Sequence, residues 1–434
     1  MKPYFSTREE ELELAITVYN GHFGAIRQKR SLNMEPDTEC IYFLDVAEKM
    51  DTDSLLIQGL RIHEMNYEYD LVNKEKLLGK YVGRHVKLKG QDGNMKECRL
   101  LSADHGLILE NIETKEIYLD PKDELVLPEL PEGLLIKPAL AWKIPRQHSD
   151  CIEVSYLTEG LDWVTNYVVE LRQDHCDLTG WVRIDNQTGT TFSNAKLKVI
   201  AGDVQRIRPE PPLYVQKREN VVYSTADANF VEKEFADYHI YTLDQSVTLK
   251  QNQTKQIPLF QAQNVPCKVY YDCRSSRTKA RIILEFMNAN HMQLGRPLPK
   301  GLIKVYQRDE QDGALEFIGE DELNHTAKNE TVRLHLGDAF DIRCEHVLRD
   351  RKKKWGMTIE SHEIFLSNQK STAAEIHVTH WIPHRHFQLL NPSHPLSSDS
   401  TAQELCFHVT ISAESEIKLI FDIEVDETTH IKLN

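Results

Sequence analysis

Apolar and polar positions alternate along most of this chain. Over 417–425, IKLIFDIEV puts Ile417, Leu419, Phe421, Ile423 and Val425 on one face, with Lys418, Asp422 and Glu424 opposite. LTGWVRID groups Leu178, Val182 and Ile184; AKLKV groups Ala195, Leu197 and Val199. A period of two marks strands with one buried face, because successive side chains of extended backbone point to opposite sides. Turn residues break these segments every ~8–12 positions, the spacing of sandwiches and barrels. The best helical candidate is short, VNKEKLLGK at 72–80. The pattern predicts an all-β, multi-domain β-sandwich protein.

Four blocks are expected. Residues 1–70 read as an N-terminal β domain, and 71–127 as a small inserted barrel of SH3-like or Sm-like kind. Residues 128–355 read as a central β-sandwich region, with a polar, Pro-containing excursion at 205–234. Residues 356–434 read as an immunoglobulin-like sandwich. Within the inserted unit, Asp92-Gly93 is a tight-turn signal. An Sm-type RNA pocket needs an Asn after the Asp of its strand-3 loop, whereas Asp104 is followed by His105. A structural or protein-binding barrel is the better reading.

Composition narrows the classes. A chain of 434 residues suggests about three domains. Its net charge of −15 argues against general binding to nucleic acid or anionic membranes, which need a positive field; a local basic patch remains compatible. Glu9, Glu10, Glu11 and Glu13 stand where a signal peptide needs apolar residues, and no run approaches the ~18 apolar residues of a membrane span. A cytoplasmic location is the resulting expectation. The eight cysteines form no CxxC and read as reduced thiols. The N-x-T triplets at Asn186, Asn252, Asn324 and Asn329 matter only in a secreted protein.

Longer segments carry a resemblance. VSYLTEGLDWVTNYVVEL, LTGWVRIDNQTGTTFSNAKLKVIAGDVQRI, YHIYTLDQSVTLKQNQTKQIPLF, GRPLPKGLIKVYQRDEQDGALEFIGEDELNHT and LHLGDAFDI occur in that order. Together they resemble the bacterial family of unknown function 4139, related to mucoidy-inhibitor proteins, over about 140–434. The resemblance implies a multi-domain β protein without a settled activity. In the family's pattern, the positions of His380 and His394 look typical, while His377, His384 and His386 look particular to this sequence.

HVTHWIPHRHFQLLNPSH, residues 377–394, packs five of the 19 histidines into one short stretch. As a helix it would align His377, His380 and His384, but Pro383 and the β-branched residues Ile376, Val378, Thr379 and Ile382 oppose that. As a strand, Ile376, Val378, His380 and Ile382 face one way, and His377, Thr379 and Trp381 the other. His377 and His380 then cannot share an ion. His380 is expected to be half-buried and bonded to backbone. What remains is the loop set His384, His386 and His394, the candidate Zn²⁺ ligands if they converge. The expectation is that they do not, and that no cofactor or metal is bound. A pH-sensing role for the cluster is a further alternative.

RDRKKKW at 349–355 suits docking to a phosphate or an acidic partner, but reads first as a solvated connector. Trp142, Trp163, Trp181, Trp355 and Trp381 sit beside strand formers, so packing is their default. GxSxG, HExxH, GxxxxGK[ST] and GxGxxG are all missing. The leading reading is therefore a non-catalytic protein-binding or assembly module, with a protein partner or self-association and no nucleic acid. A metal-binding protein or metal-dependent hydrolase using the loop histidines is the alternative. A carbohydrate- or envelope-associated protein is a third.

Overall fold

The structure is a computed structural model and describes residues 3–68, 74–90, 93–104, 106–129, 139–202, 204–206, 222–223, 230–235, 238–383 and 386–426. It is all-β, as the alternation predicts. The one α-helix among the described residues, Lys74–Tyr81, buries Leu78 and Tyr81. No helix among them is long and apolar enough to cross a membrane.

The first core is built from distant parts of the chain. Strands Glu11–Tyr19 and Phe23–Ser31 lie between Phe192–Ala201 and Cys151–Glu159 in an eight-stranded sheet. The contact with Phe192–Ala201 is parallel, with Lys196 opposite Ala15. Ile16, Val18 and Ile26 therefore pack into one core with Trp142, Trp163, Leu178 and Phe192. Residues of the expected 1–70 block thus share a core with residues 140–336. Two-residue periodicity says which face is buried but not which distant strand is the neighbour, so the sequence pattern left them separate.

The unit at 74–126 has a core of its own. Strands Ile117–Leu119, Ile108–Asn111, Met95–Ser102, His85–Lys89 and Glu124–Val126 form a five-stranded sheet in that order. Val86, Leu88, Cys98, Leu100 and Leu109 pack with the helix residues Leu78 and Tyr81 in a separate core. Much of the 205–234 excursion, together with residue 92 of the expected turn and His105, lies outside the described residues.

The C-terminal core is entered through one long strand. Gln253–Arg274 pairs with His175–Asn186 along its first part, then with Lys279–Met287, and finally in parallel with Ala374–Trp381. Strands Thr331–Lys354, Met357–Asn368 and Ser415–Asp426 pair in antiparallel succession beside it. Their inward rows, Ile342 and Cys344, Ile364 and Leu366, Leu419 to Val425, meet Ile376, Val378, Leu405 and Phe407 in the second core. Trp355 and Gly356 form the turn between two strands of this core, where the sequence suggested a connector between domains.

Candidate metal centre

Three strands of the C-terminal core each carry an inward row with a histidine at one end. The rows are Ile342, Cys344, His346; His362, Ile364, Leu366; and Ile376, Val378, His380. Register decides which ends meet. Leu348 stands opposite His362 and His346 opposite Ile364, so the first two imidazoles are diagonal neighbours across one strand pair. His380 reaches them from Ala374–Trp381, which does not pair with either strand. One ring nitrogen from each of the three lies within 4.8 Å of the other two.

The trio is tightly set. Nε2 of His346 is 3.1 Å from Nδ1 of His362. The ring of His380 lies 4.7 Å from that of His362 and 4.9 Å from that of His346, centroid to centroid. Phe421 stacks on His362 at 5.2 Å and meets His380 edge-on at 5.3 Å, closing the apolar side. His362 and His380 are only 5% and 7% exposed, which makes their bonding decisive. Nε2 of His362 and Nδ1 of His380 have no hydrogen-bond partner among the described residues. Buried polar atoms are normally satisfied, because an unmade bond costs ~1–3 kcal/mol.

Electrostatics keep the rings neutral. Burial, followed by the neighbouring imidazoles His362 and His346, pushes His380 down to about 3. Burial also lowers His346 and His362; for His362 the carboxylate of Glu360 partly opposes it. A neutral imidazole has a free in-plane lone pair, the state a metal ligand requires. Tetrahedral ligation at ~2.0–2.1 Å places nitrogens about 3.3 Å apart, close to the His346–His362 contact.

A second layer stands behind the trio. Oε2 of Glu360 is 3.6 Å from Nε2 of His362, and Oε1 of Glu360 forms an ion pair with Nε of Arg351 at 3.1 Å. Ligation through Nδ1 of His362 leaves its Nε2–H directed at this carboxylate, the arrangement that fixes a liganding ring. His346 is half-buried and lines an open pocket of about 360 Å³ whose wall includes Arg274, Trp381 and Glu404. The pocket gives solvent a route to one member of the trio.

The residues singled out in the sequence fall elsewhere. His384 lies outside the described residues. The backbone carbonyl of His386 accepts from the N–H of Asp426, and Nδ1 of His394 contacts Oγ of its neighbour Ser393. Neither joins a ligand cluster among the described residues. His377 and His380 do face opposite ways, and each meets its own group. His377 stacks on His408 at 3.7 Å and on Tyr270 at 3.9 Å, with Nε2 bonded to Glu375 at 2.6 Å. The ligand atoms of Glu375, His377 and His408 also lie within 4.8 Å of one another, but this group sits on the outward face and Nε2 of His377 is already engaged by Glu375. Nδ1 of His380 has no partner among the described residues, contrary to the backbone bond expected of it, because the ring points into the core toward His346, His362 and Phe421. Trp142 and Trp163 are core residues, but Trp355 and Trp381 are exposed, one in a turn and one on the outward face.

His346 and His362 escaped the sequence reading. The signal was present: each continues an apolar alternation, in IRCEH and HEIFL, with a histidine in an inward place. No protein-family model matches this chain, and no curated protein matches it.

Proposed function

We propose that this is a metal-binding β protein holding a Zn²⁺-class divalent ion through His346, His362 and His380. The observation that carries the reading is the convergence of three neutral imidazoles in a core, with Nδ1 of His380 buried and unpartnered among the described residues and Nε2 of His362 facing Glu360. Imidazole suits Zn²⁺ and the late first-row ions rather than Ca²⁺ or Mg²⁺, which prefer oxygen. Three protein ligands leave a fourth position for water or a small ligand, as catalytic zinc sites do. The test is metal analysis of untagged protein after zinc supplementation. About one equivalent is expected, lost in the His362→Gln/His380→Leu double variant. Less than about a tenth of an equivalent in the parent overturns the reading.

A second reading, a protein-binding or assembly module, is favoured by one feature. Among the described residues, 344–354 pair with Met357–Asn368 alone, leaving an open strand edge of the kind that accepts an added strand. The immunoglobulin-like character of the C-terminal sandwich, the SH3-like character of 74–126 and membership of family 4139 belong to the same proposal. A self-association series by size exclusion tests it.

A further inference from the structure

The long hairpin of Thr331–Lys354 and Met357–Asn368 ends in a turn unlike an ordinary one. Trp355 and Gly356 both have left-handed backbone, with φ of 55° and 78°. Two-residue hairpin turns of this hand normally carry Asn-Gly, because a bulky L side chain fits the first position poorly. Trp355 gains nothing from the fold in return, being 88% exposed. An unfavourable conformation that presents a large aromatic to solvent points to a contact outside the chain.

The flanks of the turn specify the contact. Residues 349–354, RDRKKK, hold five basic side chains and one acid, and all are exposed. Arg349 pairs with Glu363, Arg351 with Glu360 at 3.1 Å and Lys352 with Asp350 at 2.6 Å. The exposed Lys352–Asp350 pair is weak and exchanges readily for a phosphate, whereas Glu363 and Glu360 are largely buried and hold Arg349 and Arg351. Lysines along an open strand edge also guard against unwanted pairing, which accounts for them but not for the tryptophan. Indole partitions to the headgroup level of a bilayer, and neighbouring Lys and Arg are drawn to anionic lipid.

We propose that this tip docks on an anionic phospholipid surface, with Trp355 at headgroup depth and Lys352 and Lys354 on lipid phosphates. The net charge of −15 opposes approach from afar. Screening over about 8 Å at physiological salt confines that repulsion, so contact is governed by the tip.

Vesicle flotation of the full chain tests the inference. Phosphatidylcholine vesicles are compared with ones containing about 30% phosphatidylserine, a composition that makes the surface anionic. Binding at least about ten-fold stronger to the anionic vesicles is expected. Trp355→Asn places a residue suited to left-handed backbone, so its unfolding midpoint is expected to hold or rise while vesicle binding falls about ten-fold. Lys354→Glu weakens binding in the same direction. Equal binding to both vesicle types, no binding, or full binding by Trp355→Asn overturns the proposal. Capture by polyglutamate without capture by vesicles overturns it too, assigning the tip to an acidic protein instead.

Discussion

Nε2 of His346 stands 3.1 Å from Nδ1 of His362 across an antiparallel strand pair. The two nitrogens thereby form one edge of a ligand set, and His380 supplies the third member from a strand that pairs with neither. Removing His362 while keeping its size therefore dismantles the set. His362→Gln is expected to lower zinc affinity by about 100-fold or more, measured by competition with a chromophoric chelator.

Glu360 acts through His362. Its carboxylate lies 3.6 Å from Nε2 of that ring, so Glu360→Gln removes charge while keeping shape. Zinc affinity is expected to fall about 10- to 100-fold with stoichiometry unchanged. An unchanged affinity would detach Glu360 from the site.

His380 makes the metal-free protein acid-sensitive. Its ordinary pKa is 6.5, and burial with two neighbouring imidazoles takes it to about 3 in the fold. Below pH 6.5 the unfolded chain binds a proton that the folded chain refuses. The stability this group contributes is complete above 6.5 and is lost as pH falls toward 3, at about 1.4 kcal/mol per unit. Urea unfolding of metal-free protein at pH 7 and 5.5 is expected to show a fall about 1.3 kcal/mol smaller in His380→Leu than in the parent.

The same substitution separates binding from folding. Leu in place of His380 removes an unsatisfied polar atom from an apolar core, so metal-free His380→Leu is expected to equal or exceed the parent in stability at pH 7. Phe421→Ala, by contrast, empties a fully buried ring site and is expected to cost about 3–5 kcal/mol. Denaturant midpoints compared at equal slope check both.

The outer group on the same strand provides the contrast. His377→Ala breaks the stack with His408 and Tyr270 but is expected to leave zinc stoichiometry at the parent value. A drop would move the site to Glu375, His377 and His408.

Much of the fold was legible because burial acts on one face at a time. The alternation of Ile417 to Val425 named the core face of that strand, and every residue in it is buried or half-buried. The same rule put His377 and His380 on opposite faces. It was silent on partners: His346 and His362 meet His380 through strand register and through two limbs of one branched sheet packing together, and neither is written locally. Local density of imidazole pointed instead to His386 and His394, which join no ligand cluster among the described residues. Trp355 departs from the expected packing for a related reason, since a turn residue shares its neighbours' composition but not their burial.

X-ray absorption at the zinc edge of the loaded protein tests the central claim most directly. Three imidazole nitrogens at ~2.0–2.1 Å are expected, with the imidazole signal reduced in His380→Leu. A shell of oxygens alone, or three imidazoles that persist when His346, His362 and His380 are all replaced, would contradict it.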